Sequence, residues 1–493
     1  ALAVVYPGAG NLGGGGFLVA KLATGETLTL DFREKAPAAA HRDMYLDEKG
    51  NPNMDLCQYG HLASGVPGTV AGMMAAHRYA KLPFRELVQP AITLAEKGFV
   101  LNAAEAQSLN HNQDAFQKYN TRTPAFVKSR GWKEGDTLVQ SDLAATLKRI
   151  RDRGRKGFYE GETARLILQE MERGKGMISA KDLKNYDAKW REPVVFPYKD
   201  YSIVTMPLPS GGGVLLPQMM KMAEHRPLQS YGFLSPRAVQ LMVEIERRAY
   251  ADRGTYLGDA DFFKVPVKRL TSTDYLLERM KDYDSTRAGS SKIIVAGAIA
   301  ESEETTHFNI YDQEGNAVAV TTTLNGGYGC KTVVGGAGFL LNNEMDDFSV
   351  KPGVANLYGA VGAAANAIAP GKRMLSSMTP TLVLKNGKPF LITGTPGGTT
   401  ITTSVFQTLL NMLEFGLTAD QAVNQPKFHH QWTPDIVFIE PDFPLATRTA
   451  LEKMGYTLQS RGPIGRTELI YILPDGTIEA IADHRGEDHA AGY

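Results

Sequence analysis

The chain has little of what usually marks a specialised protein. Among its 493 residues there are two cysteines, Cys57 and Cys330. Two thiols cannot build a disulfide framework, and one bridge or none fits either redox compartment. Charge of neither sign is in excess, because 53 Lys plus Arg face 53 Asp plus Glu. Such a chain offers no long-range field to draw in nucleic acid or an anionic membrane. No apolar run approaches the ~18 residues of a bilayer-spanning helix; the longest covers residues 293–300. The opening Ala1-Leu-Ala-Val-Val-Tyr6 lacks the basic flank of a secretory signal. It reads as a strand or helix end entered midway, so an upstream piece is expected. G-x-S-x-G, H-E-x-x-H and P-loop sequences are missing too, which leaves serine, zinc and phosphate chemistry without their usual marks.

What is present is an ordinary globular balance, 43% hydrophobic and 22% charged, which excludes global disorder. The length suggests two to three domains or one large core. The 50 glycines cluster at residues 8–16, 211–213, 326–338 and 394–398. Between the first two clusters, residues 70–79, 87–97, 141–151 and 162–173 carry apolar side chains at helical spacing. Ser141-Asp142 is the expected N-cap of the third helix. Residues 236–253 form another long helical pattern, with Val239, Met242, Val243 and Ile245 on one side.

From about residue 300 the texture changes to hairpins. Residues 306–311 and 317–324 flank a Gly-containing loop, 381–385 and 389–393 flank Asn386-Gly387, and 469–473 and 477–482 flank Pro474-Asp475-Gly476. Helices at 404–414 and 447–454 must cover the resulting sheet. The class is α+β, with sheet concentrated in the C-terminal two-fifths. The polar, Gly/Ser-rich stretch 282–292 reads as an exposed, mobile connector. No internal repeat or low-complexity tract is visible.

Two motifs are decoys. Gly8-Ala-Gly-Asn-Leu-Gly13 fits G-x-G-x-x-G, but a dinucleotide site needs a helix opening at the third glycine. Three more glycines follow instead, so a tight turn lining a site or a packing seam is the better reading. His429-His430 invites a metal, yet adjacent side chains diverge and no Cys or carboxylate stands at ligand spacing; a structural role fits better.

The informative stretch begins at Thr305-Thr306-His307, hydroxyls at a strand start. Ser376-Ser377 adds a hydroxyl cluster at a strand edge. Gly394-Thr-Pro-Gly397-Gly398 adds backbone N–H groups with no side chain in the way. A hydroxyl nucleophile, a hydroxyl cluster and an N–H pair are the parts of an acyl-transfer site.

Several segments together resemble one family. They are Asp31-Phe-Arg-Glu-Lys-Ala-Pro37, Gly65-Val-Pro-Gly68, Pro207-Leu-Pro-Ser-Gly-Gly212, Thr305-Thr-His-Phe308, Leu341-Asn-Asn-Glu-Met-Asp-Asp-Phe348, Pro352-Gly-Val-Ala-Asn-Leu-Tyr-Gly359, Ser376-Ser-Met-Thr-Pro380, Thr395-Pro-Gly-Gly398 and the terminal Ala491-Gly-Tyr493. In this order, from Ala1 to Tyr493, they strongly resemble the γ-glutamyltranspeptidases. That family usually carries several tens of residues, often after a signal peptide, before the Gly-rich turn.

The resemblance implies an N-terminal nucleophile hydrolase with a four-layer αββα sandwich. It implies a precursor that cuts itself between Glu304 and Thr305. The products would be a large, mostly helical part (1–304) and a small, sheet-rich part (305–493), intertwined as one unit. It implies Thr305 as nucleophile, Thr323 as its orienting partner, and the N–H groups of Gly397 and Gly398 as oxyanion donors. Arg33, Ser376 and Ser377 would hold the substrate α-carboxylate, and Asn325, Glu344 and Asp347 its α-ammonium. Tyr358 would wall a lid over residues 352–366. No cofactor or metal is implied. The expected substrates are glutathione and other γ-glutamyl compounds, with water, amino acids or dipeptides as acceptors. Residence would be periplasmic or extracellular, with no nucleic-acid partner and no membrane span in this chain. Two other readings stand beside this one, a glutaryl-cephalosporin acylase of the same kind and a protein that only binds.

Overall fold

The computed structural model describes residues 1–294, 305–357 and 359–493. Its centre is a pair of facing sheets, one five-stranded and one six-stranded. Their strands are β1 (Gly15–Lys21), β2 (Thr27–Asp31), β3 (Lys189–Arg191), β4 (Val194–Tyr198), β5 (Tyr201–Thr205), β6 (Thr306–Tyr311), β7 (Ala317–Thr323), β8 (Thr381–Lys385), β9 (Lys388–Gly394), β10 (Glu468–Ile472) and β11 (Ile478–Ile481). The first sheet runs β3-β2-β1-β7-β6 and the second β11-β10-β9-β8-β5-β4. Every neighbouring pair is antiparallel.

Strand alternation divides the side chains between layers. Phe17 and Val19 of β1 and Ala317 and Ala319 of β7 face Val204, Leu382, Leu384 and Ile392 of the other sheet. The alternate residues Ile203, Val383 and Leu391 point outward. They pack under α5 (Gly212–Glu224), α6 (Pro236–Tyr256) and α7 (Thr400–Leu413), through residues such as Leu216, Leu241 and Phe406. On the opposite flank Leu30 and Val320 lie against Ala75 and Ala76 of α1 (Thr69–His77). Beyond it α2 (Phe84–Lys97), α3 (Ser141–Arg153) and α4 (Gly161–Gly174) share a further core around Ile92, Leu147 and Ile167. The four layers are helix, sheet, sheet, helix, as the family resemblance implies. Among the described residues no helix is long and apolar enough to cross a membrane.

All three expected hairpins form. The tightest turns at Asn386 (φ 53°) and Gly387 (φ 77°), the left-handed pair that the Asn-Gly signal demands. Two expectations need correction and a third is only partly met. Sheet is denser after residue 300 but is not confined there, since β1 to β5 all precede it; β1 is buried along most of its length, so it shows no alternation for sequence to display. Ser141 is the first helical residue of α3, and no side chain caps that end. Residues 282–291 are not a loose connector: Asp282 pairs with Arg248, Ala288 N–H donates to Met454 O at 2.8 Å, and Ser291 N–H to Asp435 at 2.7 Å.

Replacing a wholly buried inter-sheet residue tests this layering. Ile392→Ala, in the middle of β9 and 0% exposed, is expected to cost about 2–5 kcal/mol, read as a lowered denaturant midpoint.

Candidate active site

Pairing register brings the candidate nucleophile to its partner. Thr306 lies opposite Thr322, so Thr305, one residue earlier, faces Thr323 across the strand pair. Their hydroxyls are 3.5 Å apart. The Thr323 hydroxyl accepts the Asn325 N–H at 2.8 Å, which fixes its orientation. From the other side β1 holds β7, with Gly15 opposite Thr323. The Asn11 amide donates to Thr323 O at 2.9 Å and to the Thr322 hydroxyl at 3.1 Å. Only glycine fits at position 14, where a Cβ would sit 2.0 Å from Thr323 O. The first glycine cluster is thus a packing seam behind the site, and it leads into a strand rather than a phosphate-binding helix.

The second sheet brings its loops to the same end. Ser376-Ser377 precedes β8 and Gly397-Gly398 follows β9. Gly397 takes φ 133° and Gly398 φ 52°, backbone that favours glycine. Gly397 O accepts the N–H of Thr400 at 2.9 Å and its hydroxyl at 2.7 Å, anchoring the loop to the start of α7. Among the described residues neither glycine N–H donates a hydrogen bond, which leaves both free for an incoming oxyanion.

Arg33 emerges directly after β2 and is 1% exposed. Asp31 aims it, accepting the Arg33 N–H at 2.9 Å while itself held by Arg191 (2.7 Å) and Arg373 (3.1 Å). The Arg33 guanidinium contacts the carboxylates of Asp347 and Glu344 and lies 3.6 Å from Glu34. Burial pushes Glu34 up to about 8, with Asp347 and Asp31 adding to the shift against the pull of Arg33. Burial raises the Glu344 and Asp347 carboxyls as well, against the pull of Arg33, so the one guanidinium faces more carboxyls than it can neutralise.

A narrow cleft opens among these groups, lined by Arg33, Thr305, Thr323, Asn325, Asp347, Ser376, Ser377 and Gly398. The structure thus brings together eight of the residues singled out from sequence. Glu344 sits behind Arg33 rather than on the cleft wall, and Gly397 lies one residue behind Gly398. Tyr358 and Glu304 lie outside the described residues.

Three polar wall residues were given no role of their own from sequence: Arg253, Thr399 and, within the expected lid segment, Asn356. Asn356 donates to Asp347 at 2.8 Å and so ties the 352–366 segment to the ion-pair group. Arg253 did leave a trace, because it continues the apolar stripe Val239, Met242, Val243 of α6 at i+3/i+4 spacing, and an arginine on that stripe is buried. His429 and His430 are buried structural residues. Thr403 and Gln431 engage the His429 ring at 2.8 and 2.9 Å, and the Trp432 N–H and Asp435 engage that of His430 at 3.0 and 3.3 Å.

A threonine heading the edge strand of a central sheet, its hydroxyl partner, and a glycine loop, set between two helix-flanked sheets, are the arrangement of the N-terminal nucleophile hydrolase fold. The sequence model of the γ-glutamyltranspeptidase family matches residues 1–493. The glutathione hydrolase proenzyme of Escherichia coli (strain K12) is 45% identical over 100% of this chain and 86% of its own length. The crystal structure of Helicobacter pylori γ-glutamyltranspeptidase is 43% identical, covering 59% of this chain and 84% of its own, with a TM-score of 0.57. A cephalosporin acylase from Bacillus halodurans shares the fold alone, with a TM-score of 0.86 over 100% of this chain and 89% of its own at 23% identity. The chain belongs to the γ-glutamyltranspeptidase family.

The raised Glu34 carboxyl gives a signed pH dependence. A folded pKa of about 8 against an ordinary 4.5 adds stability that is complete below 4.5 and is lost as pH rises through 8. Glu34→Gln is expected to flatten that decline. The melting temperature of the variant relative to wild type should climb across this window, as read by thermal unfolding at a series of pH values.

Proposed function

We propose that this chain is a self-cleaving threonine enzyme that takes the γ-glutamyl group from glutathione and related amides and passes it to water, amino acids or peptides. The observation that carries the reading is the place of Thr305, at the head of β6 with its hydroxyl toward Thr323 and the cleft, in a chain matched end to end by the family.

Cleavage before Thr305 gives that residue a free α-amine beside its own hydroxyl. Such an amine has a reference pKa of about 7.7–8.0 and is substantially neutral at slightly alkaline pH, which suits a general base. It takes the hydroxyl proton as Oγ attacks the γ-carbonyl, and it returns the proton to the departing amine as the C–N bond breaks. The oxyanion formed in between meets the Gly397 and Gly398 N–H groups; removing one such donor in comparable enzymes costs about 3–4 kcal/mol. The γ-glutamyl ester on Thr305 is then opened by water or an acceptor amine, deprotonated by the same α-amine. The stiff χ1 of threonine holds Oγ toward the substrate.

Ser376 and Ser377 with the Arg33 region receive the α-carboxylate, and Asp347 and Asn325 receive the α-ammonium. Glu344 acts one step back, through Arg33. The large fragment is residues 1–304 and the small one 305–493. Residence outside the cytoplasm follows the family resemblance.

A glutaryl donor lacks the amine that Asp347 and Asn325 would bind, so the acylase reading is the weaker. Turnover of γ-glutamyl p-nitroanilide is expected to exceed that of the glutaryl anilide, and the reverse preference would remove the first reading in favour of the second. Thr305→Ala is expected to run as one uncut chain on a denaturing gel and to lose about 10⁴-fold or more in turnover; a cut variant with normal turnover contradicts the mechanism.

A further inference from the structure

The chemistry above leaves the His429-His430 motif without a task, yet the hydrogen bonds of His429 lead to the oxyanion loop. His429 ends a short strand (Phe428–His429) and is 0% exposed. Its Nε2 lies 2.9 Å from Gln431 Oε1, and its Nδ1 lies 2.8 Å from the Thr403 hydroxyl. The Gln431 amide nitrogen turns the other way and donates to Thr433 O at 3.5 Å. Nε2 therefore carries the ring proton, because the carbonyl oxygen facing it can only accept. Burial pushes the ring down to about 3, so it stays neutral and keeps this tautomer near neutral pH.

Gln431 Oε1 takes a second donor, the hydroxyl of Thr399. Thr399 follows Gly398 directly, lines the cleft and is the N-cap of α7. An N-cap threonine ordinarily turns its hydroxyl back onto the helix, a contact worth about 1 kcal/mol. This side chain makes no such bond and is spent on Gln431 instead. The Thr399 carbonyl is held too, by the Tyr250 hydroxyl from α6. The Tyr250 ring stands edge-on to that of His429, with centroids 5.6 Å apart. Both arms that grip Thr399 thus rest on one imidazole.

The glycine pair depends on that grip. Gly397 and Gly398 both take positive φ and have no side chains to lock them. The Gly398 N–H shares a rigid peptide plane with Gly397 O, which accepts the N–H and hydroxyl of Thr400. Where Thr399 and Thr400 sit therefore sets the direction in which the Gly398 N–H points. A misplacement of about 1 Å at such a group can cost about 100-fold in rate.

We propose that His429, acting through Gln431 and Tyr250 on Thr399, is a positioning residue for the oxyanion loop. The inference rests on the acyl-transfer reading above and deepens it, since the imidazole works at two removes from the substrate.

The test separates oxyanion alignment from general loosening of the cleft, using enzyme that has cut itself into two fragments. His429→Leu is expected to lower kcat for γ-glutamyl p-nitroanilide about 10- to 100-fold. It should weaken, by the same factor, inhibition by a boronic-acid analogue of glutamate with boron in place of the γ-carboxyl carbon. That boron bonds to the Thr305 oxygen, whose proton passes to the α-amine, and the tetrahedral adduct places an oxygen at the oxyanion position. Inhibition by glutamate itself should stay unchanged. His429→Gln, which returns an amide N–H near the lost Nε2–H, should lie close to wild type. Thr399→Val and Thr399→Ser repeat the comparison with the hydroxyl removed and retained, and they decide the matter if His429→Leu does not cut itself. Equal weakening of both inhibitors would mean that His429 only supports packing. An unchanged kcat and boronate inhibition would mean that it positions nothing. Either result overturns the proposal while leaving γ-glutamyl transfer intact. A wild-type enzyme that neither turns over the anilide nor binds the boronate overturns the γ-glutamyl reading, and this inference with it.

Discussion

A buried guanidinium must find its counter-charges inside the protein, and much of the architecture around the cleft follows from where Arg33 finds them. Its partners come from distant parts of the chain: Glu34 beside it and Glu344 and Asp347 more than three hundred residues on. Leaving any one member alone in a dry interior is far costlier than the net gain of the group. The group therefore fixes the approach of the turn after β2 to the 3₁₀ turn Glu344–Asp347. Asn356 extends that constraint to the segment above the cleft. Asp31, gripped by Arg191 and Arg373, sets the direction from which Arg33 enters.

The same electrostatics separates roles that sequence alone had merged. Arg33, Glu344 and Asp347 were assigned by family order to opposite ends of one substrate. In the folded chain they contact one another, while Arg253 on the same wall has no carboxylate within ion-pair distance among the described residues. Chemistry thus depends on which charges are already satisfied, a property of the three-dimensional neighbourhood and not of any segment.

How much was legible in advance varies with the range of the interaction. The Asn386-Gly387 hairpin was readable because its signal is local: two residues adopt positive φ whatever surrounds them. The helices α2 to α4 were readable because one face of each meets water. Strands β1 and β2 were not, because burial on both sides removes the alternation that marks a strand, and glycine at the start of β1 looks like a turn. The reason for those glycines, the Thr323 carbonyl 2.0 Å from where a Gly14 Cβ would be, lies some three hundred residues away. Of the site, Thr305, Thr323, Ser376, Ser377 and Gly398 were found through family motifs and do share one cleft. Arg253 was passed over because an arginine on a helix is normally taken as solvated, and only the packed sheet beneath α6 reveals otherwise.

The strand order of the two sheets carries a mechanical consequence. In the first sheet β6 and β7, from beyond residue 305, are zipped onto β1 from before it; in the second, β8 is flanked by β5 from the early part and β9 from the late part. A chain severed ahead of Thr305 would still be woven through both ladders, with neither portion owning a complete sheet. Pulling the halves apart would require tearing open two hydrogen-bonded seams and the core between them at once. Dilution should therefore not dissociate such a pair, and its melting should remain a single event.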